Sequence, residues 1–319
     1  MQVALTGATG FIGSRLVDRL LKKGHTLRIL TRRRHIGFAP AEHSNERVRW
    51  FFWDVTASRP PRECLEGADA IVNLAGEPVA QRWSGSVKNK IRASRVEGTG
   101  NLVAAMRELS QPPRVLVNAS AIGIYGARGN EVLAEDSSPG SDFLARVCLD
   151  WEQAAREAEE FGTRVVLLRN GIVLGQGGAL QKMLPVFRAG LGGRLGSGKQ
   201  WMSWVHVEDS LGLIDFALGC ESLRGPVNGT APNPVTNAAF TQQLAELLHR
   251  PTLFAVPPFV LRLLFGEMAS VMLASQRVLP VAAKKAGYVF AFPELPATLQ
   301  KILGKSKNPA VESLKSGPA

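Results

Sequence analysis

Eight residues near the N-terminus, Thr6-Gly7-Ala8-Thr9-Gly10-Phe11-Ile12-Gly13, constrain this chain more than any other stretch. Val3-Ala4-Leu5 before them reads as a short buried strand. After them Phe11, Ile12, Leu16, Val17, Leu20 and Leu21 recur at helical spacing. A strand, a glycine turn and a helix in that order make a phosphate cradle. Glycine lacks a Cβ, so the backbone turns sharply and approaches an anion closely, while the helix start supplies unpaired N–H groups and the positive end of its dipole. The spacing is Gly-x-x-Gly-x-x-Gly rather than the commoner Gly-x-Gly-x-x-Gly. Glycine loops also serve as plain turns, but strand, turn, helix and N-terminal placement agree here. A dinucleotide site is expected, built on Gly7, Thr9, Gly10, Phe11, Ile12 and Gly13.

The downstream rhythm suits such a site. Apolar runs at 3–5, 27–30, 48–53, 70–74, 115–119 and 165–168 read as strands, with helical patterns at 11–23, 87–109 and 143–161. The alternation predicts an α/β fold, a Rossmann-like doubly wound parallel sheet with helices on both faces. Right-handed crossovers then put the ligand crevice at the carboxyl ends of the strands, with the first strand beside the switch in order. From about residue 171 the pattern changes to glycine-rich loops at 175–178 and 190–198, followed by helices near 208–218 and 237–249. The expected organisation is a cofactor-binding domain over 1–170, a small substrate-covering region over 171–303 interwoven with it, and a disordered tail over 304–319.

Composition narrows the partners. The net charge of +11 over 319 residues suits either nucleic acid or an anionic cofactor and substrate. The cations are dispersed apart from Arg32-Arg33-Arg34, and no recognition-helix or zinc-finger pattern accompanies them, so no nucleic-acid partner is expected. Cys64, Cys148 and Cys220 are few and far apart, and the five histidines form no ligand pair. Reduced thiols, no metal and a cytoplasmic setting are expected. The chain starts directly in a strand with no apolar leader. Its greasiest stretch, 253–274, is broken by Pro257-Pro258 and carries Arg262 and Glu267. A membrane span needs about 20 uninterrupted apolar residues, so none is expected. This stretch reads as an amphipathic helix packed on the body, with a homo-oligomer interface as the alternative.

The end of the second strand reads Leu30-Thr31-Arg32-Arg33-Arg34, with no carboxylate to grip a ribose 2′-hydroxyl. A Thr31 hydroxyl and an Arg32 guanidinium match the oxygens of a 2′-phosphate, which favours NADP(H) over NAD(H); the alternative is a solvated basic loop. Asp54 and Val55 follow the third strand, where a short pair can meet the adenine. Asn73-Leu74-Ala75-Gly76 closes the fourth, its small residues leaving room for the ribose and nicotinamide.

Together these spacings resemble the extended short-chain dehydrogenase/reductase superfamily. The resemblance rests on Thr6–Gly13, on Asn73–Gly76 and on the helix Arg95-Val96-Glu97-Gly98-Thr99-Gly100-Asn101-Leu102. Arg95 stands where that superfamily carries Asn, which makes it either a second cationic contact to the cofactor or a surface arginine. Further matches at 73–78, 121–126, 142–152, 168–175, 204–209, 276–280 and 286–288 place the chain near an atypical, epimerase-like branch with a DUF1731-type C-terminal segment, the likeness covering roughly 1–303. Glu77, just past Gly76, reads as a cofactor or loop contact, and Asn170 completes the expected cofactor contacts.

The superfamily's usual chemistry rests on Tyr-x-x-x-Lys, because a phenol with a pKa near 10 needs a lysine and the cofactor's positive ring to work as an acid–base at neutral pH. This chain has two tyrosines, Tyr125 and Tyr288, followed four residues later by Gly129 and Phe292. Anchoring on Glu152 puts Leu144 and Cys148 at the positions of the pair. Tyr125, expected to face the crevice, and Ser120, expected to hydrogen-bond a substrate oxygen, are the remaining catalytic candidates; packing and backbone capping are their bland alternatives. Cys148 reads as core. Trp201, Met202 and Trp204 either wall an apolar slot or pack, and His206 and Asp209 orient the start of the next helix. Two functions follow: an NADP(H)-binding oxidoreductase- or epimerase-like protein acting on an unknown small carbonyl or hydroxyl substrate, or a non-enzymatic NADP(H)-binding regulatory or redox-sensing protein.

Overall fold

Seven parallel strands form the sheet in the computed structural model, which describes residues 1–32, 47–252 and 254–304. They are β1 (Gln2–Thr6), β2 (Thr26–Thr31), β3 (Val48–Phe52), β4 (Ala70–Asn73), β5 (Val115–Ala121), β6 (Arg164–Asn170) and β7 (Gly225–Gly229), ordered β7-β6-β5-β4-β1-β2-β3. The order reverses between β1 and β4, so a crevice opens above the carboxyl ends of those two strands. The helices in chain order are α1 (Phe11–Lys22), α2 (Arg62–Leu65), α3 (Gly85–Arg107), α4 (Phe143–Arg156), α5 (Gly178–Arg188), α6 (Val207–Gly219) and α7 (Asn237–Leu247). A 3₁₀ turn, Glu157–Phe161, continues α4, so the helical pattern at 143–161 is real but tightens over its last turn.

Both sheet faces are buried, and the strand period of two sorts the residues between them. Val3 and Leu5 point to a core with Leu16 and Leu20 of α1 and Leu211 and Ile214 of α6, whereas Ala4 points to a core with Leu102, Val103 and Met106 of α3. Ser84 caps α3 through Val87 N, and the Asp142 carboxylate caps α4 through Ala145 N. The edge strand β7 is absent from the sequence reading. Gly225-Pro226 hides it, since proline cannot donate to a ladder and is tolerated only at an edge.

A second, smaller core holds the C-terminal half. Leu180, Trp204, Phe240 and Leu244 pack there with Leu295, Leu299 and Ile302. Trp204 is wholly buried, its Nε1 donating to the Asn233 carbonyl at 3.1 Å, so it packs rather than walls a slot. The remaining helices are α8 (Pro258–Phe265), α9 (Ala269–Leu273), α10 (Val281–Lys285) and α11 (Leu295–Leu303). No described helix is long and apolar enough to cross a membrane. The greasy stretch does not form one packed helix: it breaks into α8, a 3₁₀ turn and α9, and of these only Leu261 and Ala269 are buried. The tail from 305 onward, Arg33 and Arg34 lie outside the described residues.

Candidate functional site

The glycine turn joins β1 to α1 at the crevice. Gly7 has φ +70°, and a Cβ there would lie 2.6 Å from the Leu74 carbonyl; a Cβ on Gly13 would collide with the Gly7 carbonyl. These two glycines let α1 start directly under β1 and close against β4. Gly10 caps α1 without a side-chain bond, and the first turn holds no acidic residue. The N–H groups of Phe11, Ile12 and Gly13 have no acceptor among the described residues. A pyrophosphate fits this cradle, because the open donors and the helix dipole both favour an anion. The Phe11 ring turns away and packs on Gly177 and Gly178, which explains the second glycine run; Arg15 lies over that ring at 4.5 Å.

Beneath the crevice a buried polar cluster fixes the strand ends. Thr6 Oγ1 donates to Asn73 Oδ1 at 2.6 Å and accepts from the N–H groups of Leu74 and Ala75, each at 3.0 Å. Asn73 Nδ2 donates to Thr99 and Asn118, and Trp151 Nε1 donates to Thr99 at 2.9 Å. The motif residues Thr6, Asn73 and Thr99 are thus one connected clamp, although they are far apart in the chain.

The rim residues fall around this floor. Thr31 and Arg32 lie at the end of β2, beside β1, with Arg32 exposed. Asp54 holds its own turn through Thr56 N at 3.1 Å, and Val55 is buried under Gly98, its carbonyl accepting from Asn101 Nδ2 at 2.9 Å. Gly76 carries no Cβ because the Arg95 guanidinium would stand 3.1 Å from it. Arg95 Nη1 donates to the carbonyls of Glu77 and Ile91, and its guanidinium lies 5.2 Å from the Trp151 ring centroid. Its Nε and Nη2 have no acceptor among the described residues. Burial lowers its pKa, but a guanidinium begins so far above neutrality that it stays a cation. Glu77 is a loop residue: its N–H bonds Ser94 and its carboxylate accepts from Gln81. Asn170 ends β6 and accepts from Ser210 at 3.3 Å.

The two catalytic candidates do not stand free at the crevice. Tyr125 is 0% exposed, lying in a 3₁₀ turn, Ile122–Tyr125, after β5. Its hydroxyl donates to Asn228 Oδ1 at 2.7 Å and accepts from Arg169 Nη1 at 2.9 Å. Burial raises the phenol's pKa, with Arg169 and Asn228 pulling the other way. Arg169 in turn forks onto Glu152, Nε to Oε1 and Nη2 to Oε2, both 2.8 Å. Burial works against that guanidinium, but the Glu152 bonds outweigh it and hold its pKa above the ordinary value. Ser120 Oγ donates to the same carboxylate at 2.7 Å. The expectation of a crevice-facing Tyr125 is therefore corrected: Ser120, Glu152, Arg169, Tyr125 and Asn228 form one buried chain of hydrogen bonds. Arg169 carries no local sign of this role, since its partners come from other elements. Where the Tyr-x-x-x-Lys pair would stand, Leu144 packs on Gly123, and burial pushes the Cys148 thiol up to about 12, leaving no thiolate. Among the described residues no cluster could hold a metal.

An α/β fold with a glycine cradle at its topological switch defines a dinucleotide-binding class of protein. Within that class the chain belongs to the NAD dependent epimerase/dehydratase family, whose model matches residues 3–226; residues 256–302 match a domain of unknown function, DUF1731. The chain is 43% identical over 306 residues to the chloroplastic SDR39U1 homolog of Arabidopsis thaliana, covering 95% of this chain and 87% of that one. It is 35% identical over 309 residues to the mouse epimerase family protein SDR39U1, covering 95% and 100%. The crystal structure of human SDR39U1 (isoform 2) with NADPH superposes with a TM-score of 0.84 at 35% identity, covering 96% of this chain and all of that chain.

Proposed function

We propose that this chain binds NADP(H) and works on a small carbonyl or hydroxyl substrate without a tyrosine–lysine pair. The observation that carries the reading is the start of α1, where the N–H groups of Phe11, Ile12 and Gly13 stand open above two glycines that cannot bear a Cβ. The human relative's NADPH supports the choice of cofactor. In this reading the 7–13 turn, with Thr9 and Gly10, holds the pyrophosphate, and Thr31 and Arg32 take the 2′-phosphate. Asp54 and Val55 border the adenine, while Leu74, Ala75, Gly76, Glu77 and Asn170 shape the ribose and nicotinamide end, where Arg95 offers its open donors. The bound cofactor would supply or accept a hydride. With Tyr125 and Ser120 engaged by Arg169 and Glu152, the balancing proton would be exchanged with solvent, taken up when a carbonyl is reduced and released when a hydroxyl is oxidised.

Titration of the purified chain with NADPH and NADH tests this. NADPH binds more tightly, and Arg32→Ala narrows the gap roughly tenfold or more, the loss expected for a charge-assisted hydrogen bond of about 1.5–3 kcal/mol. Equal affinities in the native chain refute the arginine assignment, and no binding of either refutes the whole reading. The saturated Tyr125 hydroxyl favours a second reading, an NADP(H)-binding regulatory or redox-sensing protein. A panel of aldehydes, ketones and nucleotide sugars separates the two: tight NADPH binding without turnover on any of them selects the second.

A further inference from the structure

One face of the molecule, which takes in residues 186–199, 250–252 and 254–264, carries none of the residues assigned to the crevice. Its crest is apolar and in water: Leu191, Phe254, Phe259 and Leu263 are 67%, 70%, 69% and 72% exposed, and Leu264 is exposed beside them. Their two segments are joined at the backbone. The strand pair Arg194–Leu195 with Ala255–Val256 brings Phe254 against Gly193, two residues from Leu191. Phe259 and Leu263 follow one helical turn apart on α8. Scattered surface leucines are ordinary; five exposed large apolar side chains on two paired segments are not.

The same two segments carry Arg188, Arg194, Lys199, Arg250 and Arg262, all exposed and none in an ion pair among the described residues. No Asp or Glu occurs from 161 to 207 or from 247 to 266. The two acids bordering the second gap are engaged, Glu246 with Gln242 and Glu267 with Lys88. Apolar knuckles beside unneutralised cations are the signature of a surface that lies on a bilayer rather than crossing it.

Charge also selects among occupants. A second copy meeting this face across a two-fold axis would press like charges together. A single-stranded nucleic acid stacks its bases on aromatic rings, whereas three of the five crest side chains are leucine. An anionic lipid surface takes both parts, leucine and phenylalanine into the acyl boundary and guanidinium to phosphate. We propose that this face adsorbs peripherally to anionic lipid bilayers, with Phe259 and Leu263 inserting and Arg194 and Arg262 reading the headgroup charge. The proposal stands apart from the cofactor reading.

Co-sedimentation of the full chain with vesicles tests it. Binding to mixed phosphatidylcholine–phosphatidylglycerol vesicles should exceed binding to pure phosphatidylcholine by roughly tenfold and fall as salt rises. Phe259→Ser/Leu263→Ser and, separately, Arg194→Gln/Arg262→Gln should each lower it by roughly tenfold. Unchanged melting temperatures and NADPH titrations show that neither pair acts by unfolding the chain or by spoiling the crevice. The proposal is overturned if anionic vesicles leave the chain in the supernatant, if neutral vesicles bind it equally, or if both double variants sediment as the parent does. It is also overturned if light scattering shows a dimer that Phe259→Ser/Leu263→Ser dissolves while vesicle binding persists. A single-stranded RNA shift lost in Arg194→Gln/Arg262→Gln, without vesicle binding, would assign the face to nucleic acid instead.

Discussion

Tyr125 and His206 are both aromatic, polar and buried, and the two differ in what burial does to them. The Tyr125 hydroxyl serves Arg169 and Asn228 at once. Tyr125→Phe leaves both with one partner fewer in a dry place and should cost about 1–3 kcal/mol in urea denaturation. NADPH affinity should stay within about twofold of the parent, since a buried positioning contact of this size acts on folding. His206 opens α6, its Nδ1 accepting from Glu208 N at 3.2 Å, and its ring lies 3.9 Å from that of Phe292. Burial, with Lys301 nearby, lowers its pKa to about 4. The native state then binds fewer protons than the unfolded chain, whose histidine titrates near 6.5. The stabilisation is complete above about pH 6.5 and is lost as pH falls toward about 4. Melting temperatures across that window should drop less steeply in His206→Asn, which can cap but cannot titrate. At this scale the sequence disclosed the cradle glycines, whose role is set by backbone alone. Arg169–Glu152 stayed hidden, because a buried ion pair is made by two elements meeting.

Elements were legible where one local rule governs them. The sheet interior is covered on both faces, so β1, β2, β4, β5 and β6 announce themselves as apolar runs. Long amphipathic helices such as α1 do so by their period. Strand β7 obeys an edge rule and α8 leaves Phe259, Leu263 and Leu264 in water, so neither follows the pattern that a buried element would write into the chain. Between those cases lies the segment after α10, which has little regular structure and is held by one carboxylate. Asp209 of α6 accepts from Ala291 N at 2.8 Å, from Phe292 N at 2.9 Å and from the Tyr288 hydroxyl. The absence of a side chain at Gly212 makes room for that hydroxyl. Asp209→Ala strands two backbone donors, while the Tyr288 hydroxyl keeps the Asp209 carbonyl at 3.1 Å, and a loss of about 3 kcal/mol is expected, since bonds to a charged acceptor contribute about 1.5–3 kcal/mol each without adding fully. Protease cleavage near 288–292 at a temperature where the parent resists would register it.

For the whole molecule, the two matched family segments are physically one body. Leu295, Leu299 and Ile302 of α11 close the same core as Leu180 of α5 and Trp204, with Phe240 and Leu244 of α7 between the two segments. A chain ending at residue 255 would leave that core face in water. It should elute in gel filtration as aggregates rather than at the volume of the parent. The turn after β5 is tied to the C-terminal half as well, through Gln276. Its side-chain amide donates to the carbonyls of Ile122 at 2.9 Å and Gly126 at 3.1 Å, one on each flank of the turn that follows β5. A graft that exchanged the C-terminal segment between two relatives would therefore have to bring a matching amide with it. Otherwise two carbonyl oxygens would be left to find water, and the turn that carries Tyr125 would slacken with no substitution made there.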